Sequence, residues 1–329
     1  MGHARRPRRG RASVVRDQRR RARRPHHRRQ GGLITVTANR IGIHAGVWGF
    51  DWSPDAAERA IRGASEAGYD LIEIPAIDRA ALDSLDTRRL LDRHGIDSVV
   101  SLALGFDDDI NSTDAARSAR GEHRLSEAVA FAAEIGAPFV GGVVYSAMGR
   151  YGHPFAAADR ENALGVLRRI AALAARDGIT LGIEYVNRYE SNLLNTAAQT
   201  VRFLEDLGVD NAVVHLDTFH AHVEEIDVST AVAVAGDRLG YIHASESHRG
   251  RLGTGAIDWP RLARALVASG YGGAITVETF SSAVLTTEQS VDIGLWRPMW
   301  SDPTELAHES NTFLRTELAA ASVAVSLAA

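Results

Sequence analysis

Glu184, Asp217, His243 and Glu278 are the residues of this 329-residue chain whose types and positions point to chemistry. Each closes a short apolar, largely β-branched run: Thr180-Leu-Gly-Ile-Glu, Val213-Val-His-Leu-Asp, Leu239-Gly-Tyr-Ile-His and Ala274-Ile-Thr-Val-Glu. Four successive strands that each end in a carboxylate or an imidazole describe one converging site. Three carboxylates and one neutral imidazole make a hard, mostly oxygen shell. Such a shell suits Mn²⁺, Mg²⁺ or Co²⁺ better than structural zinc, which prefers thiolate and imidazole. Taken singly, Asp217 reads equally well as an N-cap for a helix starting at Thr218, and His243 as a hydrogen-bonded core histidine. Glu184 and Glu278 are harder to set aside, because glutamate caps helices poorly and an unpaired charge in an apolar run is costly. Two glutamates in one site can also supply an acid and a base.

The elements that must position these residues alternate regularly. Strand candidates are 41–47, 71–74, 98–104, 139–144, 180–186, 212–217, 239–244 and 274–279, each a continuous apolar run as expected of strands buried on both faces. Amphipathic stretches lie between them. One begins at Pro54 behind Ser53 as N-cap, and others run over 159–177 and 196–207. Gly68, Gly95, Gly136, Gly178 and Gly270 each stand where a helix should end before the next strand. Eight βα units predict one (β/α)₈ TIM barrel over 39–320, followed by a tail at 321–329. A doubly wound open sheet would use fewer strands, and no Gly-x-Gly-x-x-Gly follows the first one. Barrel sites lie at the C-terminal ends of the strands, where the four residues fall.

Composition removes whole classes of chemistry. There is no cysteine, hence no disulfide, thiol nucleophile or thiolate metal site, and this fits a cytoplasmic protein. There is no lysine either: all 37 basic residues are arginine, which excludes Schiff-base aldolases, pyridoxal-phosphate enzymes and Walker-type loops. Residues 1–30 hold thirteen arginines against Asp17, a formal +12, which leaves −16 for the rest of a chain whose total is −4. A body that acidic is a poor general nucleic-acid binder. The basic head has no apolar periodicity, so 1–38 is read as a disordered extension or as translated sequence upstream of a natural start near Val36. A nucleic-acid or membrane-surface arm is the other reading. No run reaches the roughly 18 apolar residues of a membrane span.

Four motifs narrow the assignment. Gly182-Ile-Glu-Tyr-Val-Asn-Arg-Tyr-Glu190, His215-Leu-Asp-Thr-Phe-His220, His243-Ala-Ser-Glu-Ser-His-Arg249-Gly and Val277-Glu-Thr-Phe-Ser resemble, in this order and with ligand intervals of 33, 26 and 35 residues, the ketose 3-epimerases. These form the D-tagatose 3-epimerase family, which includes the D-allulose (D-psicose) and L-ribulose 3-epimerases, on a xylose isomerase-like TIM barrel. The similarity spans residues 40–318 and includes Tyr145-Ser-Ala-Met148 and Gly294-Leu-Trp-Arg-Pro-Met-Trp300.

The resemblance implies that Glu184, Asp217, His243 and Glu278 hold one divalent metal per subunit, Mn²⁺ first, with Co²⁺ or Mg²⁺ able to substitute, and that no nucleotide cofactor is used. It implies that Glu184 and Glu278 are the catalytic acid/base pair on opposite faces of C3, passing through a cis-enediolate. Glu190, His220 and Arg249 match residues that bind oxygens near C1 and C2; judged without the motif, Glu190 and Arg249 read as surface ion-pair residues and His220 as a first-turn helix residue. Substrates would be free ketoses of the D-allulose/D-fructose, L-ribulose/L-xylulose or D-tagatose/D-sorbose type, and the protein a homo-oligomer, dimer or tetramer. Met148 stands where tryptophan is frequent in the family, and His44 where an aromatic is common; both are expected to line the pocket near C4 to C6. Trp52, with Trp48, is read either as an apolar wall over the sugar or as core. Arg297 and Trp300 are candidates for a subunit interface.

The alternatives are a 1,2-aldose–ketose isomerase or a related sugar or inositol enzyme on the same barrel, a metal-dependent nucleic-acid enzyme, and a non-catalytic sugar-binding barrel. A chain starting at Val36 is expected to keep its fold and turnover and to show no salt-sensitive DNA binding in gel-shift titrations. Retained, salt-sensitive binding would revive the nucleic-acid reading.

Overall fold

Strand and helix alternate throughout residues 39–328, the part of the chain that the computed structural model describes. The basic extension expected at 1–38 lies outside the described residues. The strands are β1 (Ile41–His44), β2 (Leu71–Pro75), β3 (Asp97–Leu104), β4 (Phe139–Ala147), β5 (Thr180–Glu184), β6 (Ala212–Asp217), β7 (Leu239–Ala244) and β8 (Ala274–Val277). All pairings are parallel, each strand lies beside its neighbour in the chain, and β8 pairs with β1, so the sheet closes. Parallel neighbours need long crossovers, and helices supply them. These are α1 (Pro54–Glu66), α2 (Ser84–His94), α3 (Ala115–Ile135), α4 (Ala157–Ala174), α5 (Ala197–Leu207), α6 (Thr218–Glu224), α7 (Val228–Ala235), α8 (Trp259–Ser269), α9 (Thr287–Asp292) and α10 (Pro303–Ala328).

Local signals start and stop the helices as the sequence implied. Thr196 accepts from the Gln199 amide in a capping box ahead of α5. Gly95, Gly136 and Gly270 take left-handed conformations behind α2, α3 and α8. Ser53 departs from expectation. It occupies the N-cap position of α1, but its hydroxyl donates to Asp51 and caps nothing.

The two faces of the strands do different work. Ile41, Ile43, Ile72, Ile74, Leu216 and Val277 point outward and pack with the helices in one large core. The inner face is recognised by contacts between strands that are not neighbours. Phe139 on β4 stacks on Tyr241 of β7 at 4.4 Å between centroids, within a small separate cluster with Leu71 and Val99. That cluster floors the barrel. Above it the inward residues turn polar, with Glu73, Ser101, His215, His243 and Thr276 all buried.

Strand ends differ from the sequence reading at the mouth. β1 stops at His44, because its imidazole accepts from the Gly46 amide and opens a short 3₁₀ turn. β5 stops at Glu184 and β8 at Val277, where the chain leaves the sheet to form the site loops. At the other terminus, α10 runs on through the segment expected to be a tail. Ala321 is buried against Ala263 and Val267 of α8, so this segment belongs to the barrel's outer layer.

Gly182 and Gly141 leave room for the Phe139 ring: a Cβ on Gly182 would lie 2.2 Å from Phe139 Cζ. Gly182→Ala should therefore destabilise the fold by about 1–3 kcal/mol in urea denaturation. Adding Phe139→Leu should recover part of that loss, a coupling that independent sites would not show.

Candidate active site

The strand ends bring the four sequence-identified residues together. Glu184 is the last residue of β5, Asp217 the last of β6, His243 lies in β7 and Glu278 follows β8 directly. All four are buried, and one donor atom from each lies within 4.8 Å of the others. His243 Nδ1 is 3.1 Å from Glu184 Oε1, 3.4 Å from Glu278 Oε1 and 4.0 Å from Asp217 Oδ2. Asp217 is placed for both roles that its sequence position allowed. Oδ1 accepts from the Phe219 amide at 2.6 Å and caps α6, while Oδ2 faces the cluster.

The charge balance fits a divalent cation. Three buried carboxylates meet Arg249, whose guanidinium lies 2.7 Å from Glu278 Oε2 and 3.4 Å from Asp217 Oδ2. Burial favours the neutral form of all three. Arg249 and then His243 override it at Glu278, whose pKa falls well below the carboxylate range. For Asp217, burial and then Glu278 raise the pKa well above its ordinary value; burial raises that of Glu184 too, against the pull of His243. Without a cation, burial and mutual repulsion oppose ionisation of all three carboxylates together. A divalent ion relieves this, and the oxygen-rich donor set suits Mn²⁺, Mg²⁺ or Co²⁺.

Glu73 is the residue that sequence reading missed. It lies in β2, across the barrel, and its carboxylate oxygens are 3.0 and 2.9 Å from His243 Nε2. Tyr241 also donates to Glu73 Oε2, at 2.7 Å. Burial would push the Glu73 carboxyl up, but His243, with His44 and His215, holds it at about 2. The signal was in the sequence: Leu71-Ile-Glu-Ile-Pro is another apolar run enclosing an acid. His215 was quoted within a motif but given no role. It is fully buried, neither ring nitrogen has a hydrogen-bond partner, and Nδ1 is 3.9 Å from Glu184 Oε2.

The expected substrate contacts also converge. His220 Nδ1 accepts from the Asn187 backbone amide at 3.2 Å. A neutral imidazole then carries its proton on Nε2, so the 3.4 Å approach of Arg249 to that atom is a packing contact and not a hydrogen bond. His220 Nε2 lies 3.9 Å from Glu190 Oε2, a buried oxygen with no partner of its own. The three residues thus present two donors and one acceptor, a set matched to a carbonyl and hydroxyls.

Arg249 is held through its backbone and its terminal guanidinium nitrogen, while its Nε is buried without a hydrogen-bond partner. The residue is the one non-glycine with positive φ among the described residues, at 60°. The guanidinium packs over Phe219 and Phe280, 4.6 and 5.2 Å from their ring centres. Its amide donates to the Glu246 carbonyl, and its own carbonyl accepts from Thr279 Oγ1 at 2.7 Å. The buried Glu246 carboxylate accepts from the Ser247, Gly253 and Ile257 amides and from the Trp259 indole, which fixes the whole loop after β7.

A cavity of about 520 Å³ opens over the cluster. His44 and Met148 line it as expected, and Phe50 and Phe280 form the apolar wall, each 5.8 Å or less from the His44 ring. Trp52 does not line the cavity: it is buried, with its indole donating to Thr87 of α2. Trp48 packs over Gly63 of α1. Both are core residues, because α1 closes over the segment that carries them. Trp300 is likewise buried, donating to Thr279 Oγ1, and cannot face a partner; Trp296 is the exposed tryptophan of that segment, at 76%.

The chain is similar to proteins of established kind. A family model described as Xylose isomerase-like TIM barrel matches residues 61–316. An L-ribulose 3-epimerase of Methylomonas sp. (strain DH-1) is 40% identical over 274 residues, 83% of this chain and 96% of that protein. A ketose 3-epimerase of Arthrobacter globiformis is 38% identical, with 85% of this chain and 97% of the relative covered. The crystal structure of a D-allulose 3-epimerase from Methylomonas sp. in complex with D-allulose is 39% identical with a TM-score of 0.83, covering 85% of this chain and 97% of that one.

The two roles open to Asp217 can be tested apart. Asp217→Asn keeps a good N-cap and should lose most Mn²⁺ binding in isothermal titration, with little change in stability of the cation-free protein. Asp217→Ala should lose both, with about 1 kcal/mol of additional destabilisation in chemical denaturation. Mn²⁺ at about 100 times its Kd should stabilise the unmodified protein by about 2.7 kcal/mol.

Proposed function

The chain belongs to the xylose isomerase-like TIM barrel family and, within it, to the ketose 3-epimerases, and on that premise we propose that Glu184 and Glu278 are the acid/base pair with which it inverts C3 of free ketoses. The observation that carries this reading is their common focus. Two buried glutamates from strands separated by β6 and β7 approach one nitrogen of His243, at 3.1 and 3.4 Å.

The C3 proton of a ketose is acidic because it lies α to the C2 carbonyl. A divalent cation held by Glu184, Asp217, His243 and Glu278, Mn²⁺ in the first place, would polarise that carbonyl and acidify the proton further. One glutamate removes the proton to leave a cis-enediolate, and the other returns a proton to the opposite face. In the reverse reaction the roles exchange, which is why two carboxylates serve an epimerase. Arg249 stabilises oxyanion character at O2 and, always protonated, does not compete as a base. The His220 Nε2 proton and the free Glu190 oxygen fix the C1–C2 end. His44, Phe50, Met148 and Phe280 face the far end of the sugar, where they would set the preference among D-allulose/D-fructose, L-ribulose/L-xylulose and D-tagatose/D-sorbose.

Among the described residues no helix is long and apolar enough to cross a membrane. The homo-oligomer expected from the family is supported by apolar residues left exposed after the strands, with Phe106 at 44% and Trp296 at 76%.

Incubation of the Mn²⁺-loaded protein with each ketose in D₂O should yield the C3 epimer carrying deuterium at C3 by NMR. Glu184→Gln and Glu278→Gln should each lower the rate by about 10²–10⁴-fold. Deuterium at C1 or C2 with an aldose appearing would instead identify a 1,2-isomerase.

A further inference from the structure

We propose that Glu73 is a positioning residue, which holds the proton of His243 on Nε2 and so presents the Nδ1 lone pair to Glu184, Asp217 and Glu278. A neutral imidazole has one N–H and one lone pair, and its outward partner decides which nitrogen is which. Both Glu73 oxygens lie within 3.0 Å of His243 Nε2, and an ionised carboxylate can only accept, so Nε2 must donate. In the neutral ring Nδ1 then carries the lone pair, and a bound cation would take the place of the proton that Nδ1 shares with Glu184 Oε1, 3.1 Å away, in the cation-free protein.

The surroundings tie Glu73 to His243. The residue is 1% exposed. Oε2 is shared by His243 and the Tyr241 hydroxyl, which also pairs with Thr276. His44 approaches Oε1 at 3.8 Å through Nε2, the nitrogen that carries the proton because Nδ1 accepts from the Gly46 amide. The hydrogen bonds that Glu73 makes thus run to His243 and Tyr241, although the residue borders the cavity. It lies at the boundary between the apolar floor and the polar layer, where an anion needs buried donors, and β1, β7 and β8 each face one toward it or toward its Tyr241 partner.

Outer partners of ligating histidines orient the ring and raise its donor strength, and their loss costs roughly 10–100-fold in metal affinity. This arm of the inference rests on the metal reading above; the proton position does not. The decisive experiment uses ¹⁵N-histidine-labelled protein in long-range ¹H–¹⁵N spectra, with Mn²⁺ affinity measured separately by titration. The unmodified, cation-free protein should show a far-downfield, slowly exchanging proton on His243 Nε2, assigned by its loss in His243→Asn. In Glu73→Gln, whose amide oxygen can still accept but carries no charge, that proton should move upfield and Mn²⁺ affinity fall at least tenfold. At saturating Mn²⁺ the KM for ketose should stay within about twofold. Glu73→Leu should lose the resonance altogether; if that variant does not fold, Glu73→Gln decides alone. An unchanged proton and unchanged Mn²⁺ affinity in Glu73→Gln, even with a lowered melting temperature, would reduce Glu73 to a structural anion and overturn the proposal. Should the unmodified protein bind no Mn²⁺, the metal reading fails, while the His243 resonance still tests Glu73.

Discussion

Negative charge gathered inside a closed barrel is the constraint on which the rest of this structure depends. Glu73, Glu184, Asp217 and Glu278 lie at 6% exposure or less, and the basic side chains that come within 3.4 Å of them are Arg249 and His243. Carboxylates in such a medium persist only with partners or neutralise. Each of the four has a different answer. Glu278 takes Arg249, Glu73 takes His243 and Tyr241, Asp217 spends one oxygen on a helix cap, and Glu184 has His243 alone. What remains unbalanced is concentrated at the mouth, on oxygens that face one another. The cation site and the pair of proton-transfer groups proposed above are therefore two aspects of the same excess.

The apolar part of the fold is arranged to tolerate this. Outward-facing Ile, Val and Leu of the strands pack with the helices, and a second small cluster around Phe139 and Tyr241 seals the barrel floor. Gly141 and Gly182 are small because the Phe139 ring occupies the space that their side chains would need. The polar layer thus rests on a packed base. Its groups keep fixed positions through hydrogen bonds across the barrel, as from Tyr241 on β7 to Glu73 on β2.

Precision at the mouth comes from the loops after β7 and β8. Trp300 donates to Thr279, Thr279 donates to the Arg249 carbonyl, and Glu246 gathers three amides and an indole beneath the same loop. That network holds Arg249 in a left-handed conformation that an arginine adopts at a cost, and strain of this kind persists only where the surroundings over-determine it. The outcome is a guanidinium aimed at Glu278 and Asp217 and packed over two phenylalanine rings.

By itself the sequence determined the eightfold alternation, the helix-ending glycines and the four residues that converge on the site. These depend on local chemistry: apolar runs make buried strands, and a charge at the end of such a run must find a partner. The spacing of Glu184, Asp217, His243 and Glu278 places them on successive strands of a closed parallel sheet, so their meeting follows from order along the chain. Tertiary structure alone decided the rest. Glu73 reaches His243 across 170 residues of sequence, and no local pattern states which nitrogen it will face. Trp52 read equally as pocket wall or core, and Trp300 as an interface candidate, until the packing of α1, α2 and the final loop buried them. Phe50 and Phe280 became the apolar wall of the cavity because their loops fold back over His44. Strand ends are governed by short-range chemistry; partners across a barrel interior, and the aromatics that close its mouth, are fixed only when the sheet closes and brings distant residues within hydrogen-bonding and packing distance.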